Sequence, residues 1–443
     1  MKTLQRINIS ILILTATAMC AQNTQEPKVD SLEKRKIKPI VQEILGERES
    51  EFKIYGFIRH DAMFDTRQMV DVREASVIMW PADVKYDQNR KDINAASQFH
   101  MLSILSRTGI RASVSNVLGA KLTGVLEGDY FGNAETGINE FRLRHAWLTM
   151  DWKNTQLGFG QFWHPLTIPD VFPGTVNFSG GAPYMPYNRN PQIRLTQKLS
   201  EKVKLVLAVL SQRDFTANTA PYINSSIPAG HVQLQYKSDK LFFGVAGHFE
   251  HIRPKTSSGT LNLASNERLN SLTAMAFAKV ITDPVTIKAE ATLAQNAGSF
   301  IMLGGYVGYT PNDGGLETYK TMNTQAYWID IAGNGKKWVP GIFAGFSRNG
   351  GVRNPVTGNG QTALAYGFPA AVTGIGAGKG SRTINHIYRI APRIEYNLKR
   401  LKFGFEPEYS VAEWGDGDFD GRATNNVEKA ENLRFIFATT FTF

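Results

Sequence analysis

The sequence has one cysteine in 443 residues, Cys20, and it lies within the opening stretch "MKTLQRINISILILTATAMCAQ". That stretch carries Lys2 and Arg6, an apolar run from Ile7 to Leu14, and small residues before Gln22. This is the layout of a secretory signal peptide over 1–21, with cleavage expected near Ala21. A mature chain without it has no thiol, which excludes a disulfide framework. A lipid-anchored Cys20 is the competing reading, and Met19 is a poor residue to precede such a cysteine. Long hydrophobic runs are also missing, because no later stretch approaches the roughly 18 to 20 apolar residues of a spanning helix. Catalytic signatures are absent too: there is no G-x-S-x-G, H-E-x-x-H or phosphate loop. The formal charge is +10, yet no recognised motif or aromatic-interleaved groove points to nucleic acid.

What is present changes its period at one place. Over 22–50, expected to be a partly helical extension, "SLEKRKIKPIVQEILGE" repeats Leu32, Ile37, Ile40, Val41, Ile44 and Leu45 at helical spacing, with Pro39 interrupting. From Glu51 onward the period is two. "EFKIYGFIRHDA" sets Phe52, Ile54, Gly56 and Ile58 against Lys53, Tyr55, Phe57, Arg59 and Asp61. "NEFRLRHAWLT" sets Phe141, Leu143 and Trp147 against Glu140, Arg142 and Arg144, and "HIYRIAPRIEY" sets Tyr388, Ile390 and Ile394 against Arg389, Arg393 and Glu395. One face is apolar and the other is charged.

Many of these segments reach about ten residues, enough to cross a bilayer at a tilt. Short links such as "DWKNT", "KSDK" and "NLKR" alternate with long connections rich in Gly, Pro and Asn. About sixteen strands result, an even number, as a closed barrel requires. The expectation is an all-β, antiparallel, up-and-down transmembrane barrel over 51–443. The chain ends on "LRFIFATTFTF", in which Phe435, Phe437, Phe441 and Phe443 share the outward, lipid-facing side and Arg434, Thr440 and Thr442 the other. Such an aromatic final strand resembles the signal by which barrels are handed to their insertion machinery.

The inward sets collect Arg59, Arg107, Arg111, Arg142, Arg144, Arg194, Arg389, Arg393 and Arg434, interleaved with Asp61, Glu127, Asp129, Glu140, Glu395, Glu406 and Glu408. For each arginine singly, an ion pair that stiffens the wall is the plainer reading; together they make a lumen that focuses its field on anions. A lumen this wide needs narrowing. The stretch 164–190, after the fifth strand, is expected to fold inward as a constriction loop bearing Phe172, Phe178, Tyr184, Tyr187 and Arg189. Asp416, Asp418 and Asp420 open with calcium-loop spacing, but Val427 stands where the closing glutamate belongs. Calcium is the one cofactor to weigh there, against an acidic solvated turn. His248 and His251, three apart on a strand, fall on opposite faces and share no metal.

"FKIYGFIRHDAMFD" and "NRNPQIRLTQKL" resemble the corresponding stretches of DcaP-like outer-membrane porins, over roughly Glu51 to Phe443. That resemblance implies a trimeric sixteen-stranded channel with a periplasmic helical extension, taking up small anions such as dicarboxylates, with Arg59, Asp61, Gln192 and Arg194 at matching positions. The extension here departs from the family in being short and broken by Pro39. The expectation is therefore a non-enzymatic outer-membrane porin whose partners are lipid, small anionic solutes, copies of itself and the insertion machinery. The rival is a barrel enzyme of lipase or protease type, whose Ser, His and Asp need only meet in space.

Overall fold

A computed structural model describes residues 50–213, 219–357, 361–368 and 375–443. The expected signal peptide and helical extension, up to Glu49, lie outside the described residues. Among the described residues no helix is long and apolar enough to cross a membrane. The long elements are strands.

Sixteen strands close into one antiparallel barrel. They are β1 Ser50–Asp65, β2 in two pieces (Gln98–Leu102 and Arg107–Val117), β3 Ala120–Asp129, β4 Arg142–Asp151, β5 Thr155–Trp163, β6 Arg189–Lys198, β7 Val203–Leu210 and β8 Ala229–Lys237. The second half comprises β9 Leu241–Ile252, β10 Leu269–Ile281, β11 Val285–Gln295, β12 Thr318–Gly333, β13 Trp338–Val352, β14 Arg382–Leu398, β15 Leu401–Gly417 and β16 Ala423–Thr442. Each strand pairs with its sequence neighbour, and β1 pairs with β16 from Phe57↔Thr442 to Asp65↔Arg434. The Phe443 N–H donates to the Gly56 carbonyl at 3.1 Å. The final residue thus completes the ring, and no strand edge remains unpaired along this seam.

The turns of two to four residues gather at one end of the barrel, and the long connections, together with the five-residue turn 418–422, at the other. The long connections include 130–141 and 253–268. Along each strand the outward side chains are apolar, among them Ile54, Ile58, Leu143, Ile193, Leu272, Ile390 and Phe405, and all are exposed. Phe435, Phe437, Phe441 and Phe443 stand outward with them, while Arg434 and Ile436 are buried inside.

One strand breaks the expected alternation. The β3–β4 register shifts between Glu127 and Gly128, so that Arg144 and His145 occupy a single step. Such a bulge moves every later side chain to the other face. Trp147, expected outward with Phe141 and Leu143, therefore turns inward and stacks on Phe162 at 5.3 Å between ring centroids.

The lumen is not an empty polar tube. Three segments enter it from the long-loop end: the small hairpin Met69–Val72 with Val77–Pro81, residues 164–188, and residues 296–305. Met79, Trp80, Leu166, Ile168, Tyr184, Met185, Phe300, Ile301 and Met302 pack with Phe242, Met275, Phe277, Trp328, Phe343 and Ile387 of the wall into one apolar cluster. Side chains of β9 to β14 that point inward thus meet protein rather than water.

Candidate functional site: a basic and aromatic constriction

The third long connection, 164–188, lies against the inner wall, held by contacts from β12, β14 and β15. Gly174 N–H donates to Asp330 at 3.1 Å, Val176 N–H to Glu406 at 2.8 Å and Asn177 N–H to the other oxygen of Glu406 at 2.9 Å. The Asn177 amide donates to Glu408 at 2.8 Å, and the Ala182 carbonyl accepts from Arg389 at 3.0 Å. The wall is cut back to admit the segment. A Cβ on Gly345 would lie 2.6 Å from the Tyr184 ring, and one on Gly404 would lie 2.8 Å from Val176. A side chain at either position would expel the loop.

These contacts leave a cavity of about 190 Å³ between the loop and strands β1, β2, β4 and β5, lined by Arg59, Arg107, Arg144, Trp163, Phe172, Asn177, Phe178 and Tyr187 among others. Arg59 forks onto Asp61 at 2.6 Å and donates to the Val176 carbonyl at 2.6 Å, tying the cation to the loop. Arg107 has only a loose contact with Glu127, at 3.6 Å, and lies over the Phe57 ring at 5.0 Å. Arg144 pairs with Glu127 at 2.9 Å and Asp129 at 3.1 Å. Side-chain exposure falls from 18% for Arg107 through 11% for Arg59 to 1% for Arg144. The guanidiniums most accessible from this cavity are therefore those of Arg107 and Arg59, with Arg144 behind them. Arginine's planar fork suits a carboxylate in such a place.

Around that group, Arg142 pairs with Asp129 at 2.7 Å and covers Phe131 at 4.2 Å. Arg194 donates to Gln192 at 2.9 Å and stands over Trp147 and Phe162. Gln192 is buried and gives its amide hydrogens to the Phe162 and Trp163 carbonyls. Strands β1 to β6 thus bring Arg59, Arg107, Arg142, Arg144, Arg189 and Arg194 to one region against Asp61, Glu127 and Asp129. The local balance is positive, and the rings of Trp147, Phe162, Trp163 and Phe178 face the guanidiniums.

Several expected pore residues have other places. Arg389 is buried against Glu408 at 3.2 Å, Arg393 against Asp330 at 2.6 Å and Arg434 against Asp65 at 2.7 Å. Each has a carboxylate partner, and Arg389 and Arg434 also bind carbonyls of the inserted segments, Ala182 and Ala75. They anchor the filling of the lumen and do not face a solute. Tyr184 points away from the cavity onto Phe343 and Arg389. Arg189 begins β6 instead of ending the loop, and lies over Trp163 at 4.9 Å. Arg111 stays in the lumen nearer the short turns, in a second recess.

The three aspartates each have their own protein partners. Asp416 accepts from Arg382 at 3.0 Å and from Asn426, Asp420 pairs with Arg422, and Asp418 caps the Phe419 N–H at 2.7 Å. Each carboxylate is engaged separately, and among the described residues no group of His, Cys, Asp and Glu is arranged to hold a metal ion. One cluster escaped the sequence reading. His164, His231 and His248 meet beside Phe300, with ring centroids 4.7 to 6.2 Å apart. The Leu166 N–H donates to His164 Nδ1 at 3.0 Å, so a neutral His164 carries its proton on Nε2 and offers no lone pair there.

No protein-family model matches the chain, and no curated protein matches it. Solved structures do. The outer membrane channel DcaP of Acinetobacter baumannii is similar at a TM-score of 0.63 and 15% identity, over 90% of this chain and 99% of that one. An anion-selective porin from Comamonas acidovorans is similar at 0.53 and 10% identity, over 89% and 100% of the two chains. The OmpT outer membrane protein of Vibrio cholerae, in its trimer form, is similar at 0.51 and 10% identity, over 89% and 99%. At these identities the likeness is one of fold, and it includes the DcaP architecture named from the two sequence stretches.

Proposed function

We propose that the chain is an outer-membrane diffusion channel of porin type that works as a homotrimer and admits small anions, dicarboxylates among them, past Arg107 and Arg59. The observation that carries this reading is the cavity where those two guanidiniums remain the accessible cations beside an inserted loop. The outward apolar band and the closed ring of strands support residence in a bilayer, because a closed barrel leaves no backbone group unpaired in hydrocarbon. The outward phenylalanines of β16 support delivery by the insertion machinery, and the fold shared with an anion-selective porin supports the sign of the selectivity. Arginine here binds and passes a solute and performs no chemistry on it, so the reading is of a non-enzyme.

Planar-bilayer recording under a potassium chloride gradient tests it. The expected result is stepwise conductance with a reversal potential of the sign set by anions, moved toward the cation side in Arg59→Gln/Arg107→Gln. Cation preference in the native protein would overturn the selectivity, and the absence of conductance would overturn the channel.

A further inference from the structure

Below the constriction the lumen opens into a second recess, of about 430 Å³, lined by Glu51, Lys53, Tyr55, Arg111, Ser113, Lys121 and Thr123. Lys53 and Arg111 are directly opposite each other in the β1–β2 register. Their parity matches that of Tyr55, Arg59 and Arg107, which face inward. Like charges placed opposite each other on neighbouring strands repel. The remaining charges are Lys121 and Glu51, paired loosely with each other at 3.8 Å. Among the described residues neither Lys53 nor Arg111 has an ion-pair partner. The recess therefore carries two facing cations that nothing in the described wall neutralises.

We propose that Lys53 and Arg111 form a second anion station, which takes the carboxylate of a solute leaving the constriction. This rests on the reading of the barrel as an anion channel and adds a separate site to it. Arg111 is four residues from Arg107 along β2, which separates the stations by about 14 Å at the rise of a strand. Tyr55, opposite Gly109 in the register, stands between Arg107 and Arg111, its hydroxyl donating to Glu127 at 3.0 Å. A lone tight site would hold an anion, whereas two sites in sequence let arrival at the first be followed by departure from the second. Lys53 and Arg111 bind as a pair, each supplying a charge-assisted donor to one bridging carboxylate.

The test is single-channel recording with succinate as the probe, added in turn to the short-turn side and to the long-loop side, on native protein and on Lys53→Gln/Arg111→Gln. Native channels are expected to show succinate blockades from both sides. In the double variant the blockade rate from the short-turn side should fall about tenfold, as expected when a focusing charge pair is removed, while the rate from the loop side stays unchanged. Lys53→Arg/Arg111→Lys should restore the rate. Unchanged blockades from the short-turn side, or equal losses from both sides, would overturn the second station. The variant must also migrate as a heat-modifiable folded barrel, and a channel that prefers cations before any substitution would fail at the earlier reading instead.

Discussion

Replacing Glu406 by glutamine should loosen the constriction without touching its arginines. The two oxygens of Glu406 accept the Val176 and Asn177 N–H groups at 2.8 and 2.9 Å, and the side chain is fully buried. An amide keeps one acceptor and turns an NH2 group toward the other N–H. A hydrogen bond to a charged group is worth about 1.5 to 3 kcal/mol, and stranding a buried donor costs about 1 to 3 kcal/mol. Even with the lower figures, the docked loop loses about 2.5 kcal/mol, close to a hundredfold in the ratio of docked to undocked states. The anchors at Asp330 and Arg389 remain, so the displacement should centre on residues 175–178, beside Arg59 and Phe178. Single-channel current noise should rise, and liposome swelling in uncharged sugars should speed up, while the reversal potential keeps its sign. A folded Glu406→Gln channel with native noise and native swelling rates would refute this account of how the loop is held.

Arg434→Ala leaves Asp65 charged and buried, and should cost about 3 to 5 kcal/mol in denaturant unfolding from vesicles. The pair Asp65→Asn/Arg434→Met should recover much of that loss, and no recovery would mean the ion pair is not the cause. Gly345→Leu should drive Tyr184 from its slot and enlarge the conductance, and an unchanged conductance would argue against the close packing of loop and wall. Gly56→Val places a side chain against the Arg107 carbonyl and 2.7 Å or less from the Phe443 ring. Its folded fraction, read as heat-modifiable mobility, should drop, because the seam between first and last strands runs through that point. Millimolar calcium or its chelation should leave Tm unmoved, since Asp416, Asp418 and Asp420 are engaged apart from one another.

The alternation of Ile54 with Tyr55 or of Phe435 with Arg434 made the wall readable from the sequence, because a membrane-spanning strand has one face in each solvent. The third connection was expected inward because a sixteen-stranded lumen is wide enough to need narrowing. The parity of Trp147 was not readable, because a bulge of one residue leaves no mark in a period-two pattern. The filling of the lumen by β9 to β14 was likewise hidden. "LFFGVAG" and "LTAMAFA" are apolar on both faces, and Phe242, Met275 and Phe277 look like membrane side chains until their partners on other segments are known. The runs "SVIMWP" and "SFIML" inside long connections were the missed signal, since exposed loops do not carry such stretches uncovered. Arg389, Arg393 and Arg434 could not be told from Arg59 and Arg107 because the difference lies in which carboxylate or carbonyl each one meets across the barrel.

The packed half of the interior makes the molecule asymmetric in what it can tolerate. Substitutions under the filler from β9 to β14 should alter rigidity and assembly yield, whereas changes to the lumen-facing Lys53, Arg107 and Arg111 of β1 and β2 should alter which cargo passes and leave the scaffold intact. Transport preference can then drift among related barrels by exchanging a few side chains along one quadrant, with the remaining circumference serving as an inert mould.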